Sequence, residues 1–89
     1  MVITKHLIIT GRVQGVGYRY YMAYKATQFR ITGWVRNRSD GTVEAAVHGE
    51  PAAVDLIVRW AHHGPRHAQV TQVDVTPDDR SYNSFDVIE

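Results

Sequence analysis

The sequence predicts an α+β domain in which one β-sheet carries two helices on a single face. Three observations predict it. Segments with apolar residues at every second position are interrupted by two segments of helical apolar spacing, giving the order β-α-β-β-α-β. Ser39-Asp40-Gly41 between the two middle strands is a hairpin signal, so those strands are antiparallel neighbours. The strands alternate apolar and polar residues, the pattern of a sheet with only one covered face.

The elements follow in chain order. From Thr4 to Gly11, Leu7 and Ile9 lie on one face of a first strand, with His6, Ile8 and Thr10 on the other. From Tyr18 to Phe29, Tyr18, Met22, Ala26 and Phe29 recur at helical spacing, with Lys25 turned outward. Ile31 to Arg38 reads as a second strand and Thr42 to His48 as a third. Glu50-Pro51 opens a second helix, with proline at its tolerated first position. Val54, Ile57, Val58 and Ala61 form its buried stripe, and His62-His63-Gly64-Pro65 stops it. His67 to Thr76 is a fourth strand with a phase fault: Ala68 and Val70 share one phase, Val73 and Val75 the other. A bulge or bend near Thr71-Gln72 would repair it. Phe85 and Val87 are in phase within Ser84–Ile88, which predicts a short extra C-terminal edge strand. This split βαββαβ order is the ferredoxin-like sandwich, with an antiparallel sheet and both helices on one face.

With 89 residues, the chain reads as a single domain spanning 1–89, near the lower size limit for a core without staples. It has no cysteine, which fits a reducing compartment. No apolar run reaches the ~18 residues of a membrane span, and the N-terminus lacks a signal-peptide layout. The expectation is a cytoplasmic protein that engages no membrane. A net charge of +1 is too small for a bulk nucleic-acid binder. Eight arginines against two lysines fit anion recognition, as would a biased genomic base composition.

Gly11-Arg12-Val13-Gln14-Gly15-Val16-Gly17-Tyr18-Arg19 carries the chemistry. A glycine-bearing loop directed into a helix N-terminus turns several N–H groups toward one point, where the helix dipole adds positive potential. Arg19 follows with a guanidinium fork suited to a tetrahedral anion. The segment lacks the acidic residue of a dinucleotide fold and the Gly-Lys-Ser/Thr ending of a Walker loop. From these residues alone, a phosphoryl cradle and a plain strand-to-helix turn are equally good readings. Asn37 ends the apolar phase Ile31, Gly33, Val35, while Trp34, Arg36 and Arg38 take the opposite face. An amide at that place needs partners, and it also reads as an ordinary turn-former bonded to nearby backbone.

The block Gly11–Arg19, together with Gly33-Trp34-Val35-Arg36-Asn37, Asp40-Gly41-Thr42-Val43 and Gly49, resembles the acylphosphatase family. The later Trp60, Gly64-Pro65, Ala68, Val70 pattern resembles it too, so the likeness covers essentially the whole chain. It implies the ferredoxin-like fold and hydrolysis of small acyl phosphates to a carboxylate and inorganic phosphate. It also implies Arg19 and Asn37 as catalytic residues. The Gln14, Gly15, Val16, Gly17, Tyr18, Arg19 backbone becomes the phosphate loop. No metal and no cofactor are expected, and a monomer suffices. Many family members have Leu-Gly where this chain has Phe29-Arg30. Glycine there would cap the helix in the left-handed region, so Arg30 is either strained or the helix ends differently.

Two other functions compete. RNA-binding domains share this topology and stack bases on the bare sheet face, where Trp34, Arg36, Arg38 and His48 are expected. Their aromatic third-strand motif is absent from the acidic, aliphatic Thr42-Val43-Glu44-Ala45-Ala46-Val47, so no nucleic-acid partner is expected. A regulatory module within a larger protein is the second, and the intact Arg19 and Asn37 favour a free-standing enzyme instead. His62, His63 and His67 lack zinc-ligand spacing and read as helix-end residues favoured by the dipole. Asp78-Asp79-Arg80 reads as a solvated loop, and Trp60 as a half-buried packing residue.

Overall fold

The computed structural model describes residues 1–88; the last residue of the expected domain, at position 89, lies outside them. Seven elements follow one another: β1 (Ile3–Arg12), α1 (Tyr18–Phe29), β2 (Thr32–Asn37), β3 (Val43–Gly49), α2 (Pro51–His63), β4 (Gln69–Asp78) and β5 (Phe85–Val87). They form one five-stranded sheet in the order β4-β1-β3-β2-β5.

Alternation decides which face meets the helices. Leu7 and Ile9 of β1, Val35 of β2, and Val43, Ala45 and Val47 of β3 are fully buried. They meet Tyr18, Met22 and Ala26 of α1 and Val54, Ile57 and Ala61 of α2 in a single core. Val58 and Phe29, expected in the buried stripes, pack partly exposed at the margin. Lys25, expected to face out, is half-buried, and the exposed positions of α1 are instead Tyr20, Tyr21, Tyr24, Thr27 and Gln28.

The phase fault in the fourth strand is a bulge. Thr10 pairs with Gln72 and Gly11 with Val70, so Thr71 is the extra residue, and its hydroxyl donates to Thr10 O at 3.2 Å. The strand itself runs two residues later than its apolar pattern suggests, ending at Asp78. Exposed residues pair along β1 there, where backbone hydrogen bonding rather than burial sets the boundary.

The sheet departs from expectation in being mixed. β1–β3, β1–β4 and β2–β3 pair antiparallel, but β5 pairs parallel with β2. The cause is the route between β4 and β5, which occupy opposite edges. The chain crosses the face away from the helices: Thr4 Oγ1 donates to Arg80 O at 2.5 Å, and Trp34 Nε1 donates to the Tyr82 hydroxyl at 3.2 Å. Asp78-Asp79-Arg80, expected as a solvated loop, ends β4 at Asp78 and leads into this crossing with Asp79 and Arg80 exposed. The Asp78 carboxylate accepts from the Asp79 and Arg80 amides, which turns the chain onto the sheet.

The rest of that outer face is internally paired. Glu44 accepts from His6 at 2.6 Å and from Arg36 at 2.7 Å, and the His6 ring sits edge-on to Trp34. Burial alone would raise the Glu44 carboxyl, but these hydrogen bonds outweigh it and hold the group below the usual carboxylate range. His48 Nδ1 bonds Thr4 Oγ1 at 2.6 Å. The Trp34 ring, the Arg36 guanidinium and the His48 imidazole are thus engaged with the protein itself.

α1 ends in a Schellman motif. Ile31 N donates to Ala26 O at 2.8 Å and Arg30 N to Thr27 O at 3.4 Å. This closure requires Arg30 in the left-handed region, at φ 58° and ψ 44°. Among the described residues it is the one non-glycine with positive φ. Of the two alternatives open at this position, the strained cap is the one adopted.

Candidate active site

The Val13–Gly17 loop leaves the end of β1 and enters α1 directly, and two conformational demands shape it. Gly15 sits at φ 75° and Gly17, the N-cap of α1, at φ 81°, both in the region that side chains disfavour. A Cβ on Gly15 would project into open space, so it is the backbone conformation and not crowding by the protein that calls for glycine.

The entry to α1 carries no acceptor of its own. Gly17 has no side chain to cap the helix, and the first turn contains no acidic residue. The first intrahelical bond is Tyr21 N to Gly17 O at 3.1 Å, which leaves the amides of the preceding turn free to bind something else. An uncapped, unneutralised helix N-terminus is electropositive and favours an anion. Arg19 adds a full positive charge in that first turn and has no carboxylate partner among the described residues.

The side chains of the loop have divided roles. Val13 is buried in the core and Val16 packs against it. Tyr18 is buried, its hydroxyl donates to Ala61 O at 2.7 Å, and its ring lies 5.2 Å from that of Trp60. Burial pushes the Tyr18 hydroxyl above the usual phenol range, so it stays a neutral donor that fastens α1 to the end of α2. What Gly15, Val16, Gly17 and Tyr18 can offer a ligand is backbone.

Gln14 has a role that its sequence position does not reveal. Its side-chain amide donates to Arg38 O at 2.8 Å and Thr42 O at 2.9 Å. Those carbonyls flank the β2–β3 turn, which is closed by Arg38 N to Thr42 O at 2.9 Å and Gly41 N to Arg38 O at 3.2 Å. The Asp40 carboxylate accepts from the Thr42 hydroxyl at 2.6 Å and amide at 3.0 Å. These bonds hold its pKa below the ordinary value. Gln14 thus ties the loop to the hairpin that carries Asn37. Nothing in the local sequence separates this glutamine from a solvated one, because its partners are carbonyls 24 and 28 residues away.

Asn37 ends β2 opposite Val43. Its Oδ1 is buried and is the one buried side-chain polar atom without a hydrogen-bond partner among the described residues. The turn-former reading therefore does not hold, since a turn asparagine would bond its own backbone. A buried acceptor without a protein partner is costly, and a water or a bound molecule can supply the missing hydrogen bond.

No group of three or more His, Cys, Asp or Glu side chains comes together to hold a metal ion among the described residues. His62 instead bonds Val58 O at 3.0 Å in the last turn of α2. No helix of the described residues is long and apolar enough to cross a membrane.

Fold and site together describe a small α+β protein whose glycine-bearing strand-to-helix loop is tied by Gln14 to the hairpin that carries Asn37. The acylphosphatase family model matches residues 5–87, and the chain belongs to that family. It is 54% identical over 80 residues to an acylphosphatase of Nocardioides sp., covering 89% of this chain and 81% of the relative. Among solved structures it resembles an acylphosphatase from Coxiella burnetii with a TM-score of 0.94 at 33% identity, over 98% of this chain and 93% of that one. It resembles the acylphosphatase from Bacillus subtilis with a TM-score of 0.93 at 33% identity, over the full length of both.

Proposed function

We propose that this family member hydrolyses acyl phosphates to a carboxylate and inorganic phosphate, with Arg19 and the Gln14–Arg19 backbone holding the phosphoryl group and Asn37 orienting the attacking water. The observation that carries the reading is the buried, unpartnered Oδ1 of Asn37, on the hairpin that Gln14 ties to the loop.

The chemistry follows from these groups. The free amides of the first turn of α1 and the Arg19 fork bind the non-bridging phosphoryl oxygens, whose charge grows as the transition state loosens. Asn37 Oδ1 accepts a hydrogen bond from water and leaves a lone pair of that water directed at phosphorus. The new O–P bond forms as the P–O bond to the acyl group breaks, and the carboxylate departs with the electron pair. A phosphoryl oxygen accepts the water's proton, so neither a protein base nor a protein acid is needed. Carboxylate is a good leaving group, and positioning with preorganised charge supplies the catalysis. No step calls for a metal or a cofactor.

A monomeric domain suffices for this reading, since one chain can supply every group it uses, and a cytoplasmic location fits a chain without cysteine. The test is phosphate release from benzoyl phosphate, with and without chelator, beside Arg19→Ala. Chelator-insensitive release that disappears with Arg19 is expected. A folded wild type that binds phosphate but releases none would reassign the chain to a binding or regulatory role.

A further inference from the structure

The outward face of α1 is aromatic where a surface helix is usually charged. Tyr20, Tyr21 and Tyr24 are 67%, 54% and 61% exposed. Side chains on a helix lean toward its N-terminus and cover the turn before their own Cα. For Tyr20 and Tyr21 that turn is the anion-binding entry of α1, whereas Tyr24 lies one turn further along. Two contacts bear this out. The Arg19 guanidinium lies 5.6 Å from the centre of the Tyr20 ring. A Cβ added to Gly17 would sit 3.5 Å from Cδ2 and Cε2 of Tyr21, so that ring leans over the N-cap glycine.

A phosphoryl group seated on these amides has its oxygens toward the loop and Arg19, and its acyl substituent must leave the cradle past the rim. We infer that Tyr20 and Tyr21 form an acyl-group subsite, which makes this enzyme prefer aromatic and large apolar acyl phosphates over acetyl phosphate. The inference rests on the reading of the loop as a phosphate cradle. The Tyr20 ring stacks near the Arg19 cation, and the Tyr21 ring leans over the space beside Gly17, so both rings lie at the edge of the cradle. Their exposed surface is what an apolar substituent would cover. A second ring packed on one of them contributes enough for about a three- to tenfold change in a binding constant.

The experiment measures kcat/KM for benzoyl phosphate and acetyl phosphate with Tyr20→Ala, Tyr21→Ala, Tyr21→Phe and Tyr24→Ala. The expected result is a fall of about three- to tenfold in the benzoyl-to-acetyl ratio for Tyr20→Ala and Tyr21→Ala, with acetyl phosphate turnover retained. Tyr21→Phe keeps the ratio, because the ring and not the hydroxyl is used. Tyr24→Ala keeps it because that ring lies beyond reach. An unchanged ratio in both alanine variants overturns the inference. So does an equal loss on both substrates, which would make the tyrosines supports of the loop. Should the wild type cleave neither substrate, the hydrolytic reading falls by itself. Binding of benzoylphosphonate against acetylphosphonate, whose P–C bonds resist water, then decides the rim. A preference for the benzoyl compound that Tyr21→Ala erases supports the subsite, and equal binding overturns it.

Discussion

Arg30→Gly should stabilise this protein although it deletes a whole side chain. Arg30 closes α1 in the left-handed region, and the two hydrogen bonds of the Schellman motif hold it there. A residue with a Cβ pays about 1–2 kcal/mol for that conformation. Glycine removes the strain but widens the unfolded ensemble, which costs about 0.4–1 kcal/mol. The Arg30 side chain is exposed and has no ion-pair partner among the described residues, so little else is lost. The difference is a gain of roughly 0.5–1 kcal/mol, or about 2–8 °C in Tm for a domain of this size. Thermal unfolding followed by circular dichroism reads it. Arg30→Asn should fall between wild type and glycine, since asparagine tolerates this region better than arginine. Arg30→Ala should bring no gain, because alanine keeps the Cβ. An alanine variant as stable as the glycine one would refute the backbone argument, and so would a glycine variant with an unchanged or lower Tm.

Three further outcomes test the site and its scaffold. Arg19→Lys should lose nearly as much turnover as Arg19→Ala in the benzoyl phosphate assay, because an ammonium cannot reproduce the guanidinium fork; substantial lysine activity would remove the assigned role. Asn37→Ala should lower kcat by about 10²–10³ while the inhibition constant for inorganic phosphate stays nearly constant. A large rise in that constant would make Asn37 a phosphate binder instead. Stability should decline as pH falls below the ordinary glutamate pKa. The folded Glu44 carboxyl titrates lower than the unfolded one, so the unfolded chain takes up the proton first and is favoured. Urea titrations of Glu44→Gln across that range should show a shallower pH slope, and an identical slope would mean that other carboxylates govern acid unfolding.

Local patterns exposed most of the architecture, because each element carries its signal within its own residues. The alternation of Leu7 and Ile9, the spacing of Tyr18, Met22 and Ala26, and the Pro51 start of α2 all reappear in the folded chain. The fault in the fourth strand was legible too, since a change of apolar phase inside one strand calls for a bulge or a bend; the pairing register shows a bulge, with Thr71 the extra residue. The direction of β5 was not. Three residues have no preference for parallel or antiparallel pairing, and the route of the crossing over Thr4 and Trp34 imposes it.

The site divides along the same line. Sequence alone determined the glycine loop, its junction with a helix, and the cation in the first turn, because backbone conformation and a helix N-terminus are local properties of residues 15–19. It likewise marked Arg30 as the position where α1 must end under strain or end differently. Tertiary structure decided what Gln14 and Asn37 do. One amide finds two carbonyls across the hairpin and the other keeps a buried oxygen without a partner, and which of these befalls an amide depends on chain segments far away in sequence. The aromatic rim is of the same kind. Exposure of Tyr20 and Tyr21 is set by how α1 is rolled onto the sheet, a property that the whole core determines through the burial of Tyr18, Met22 and Ala26.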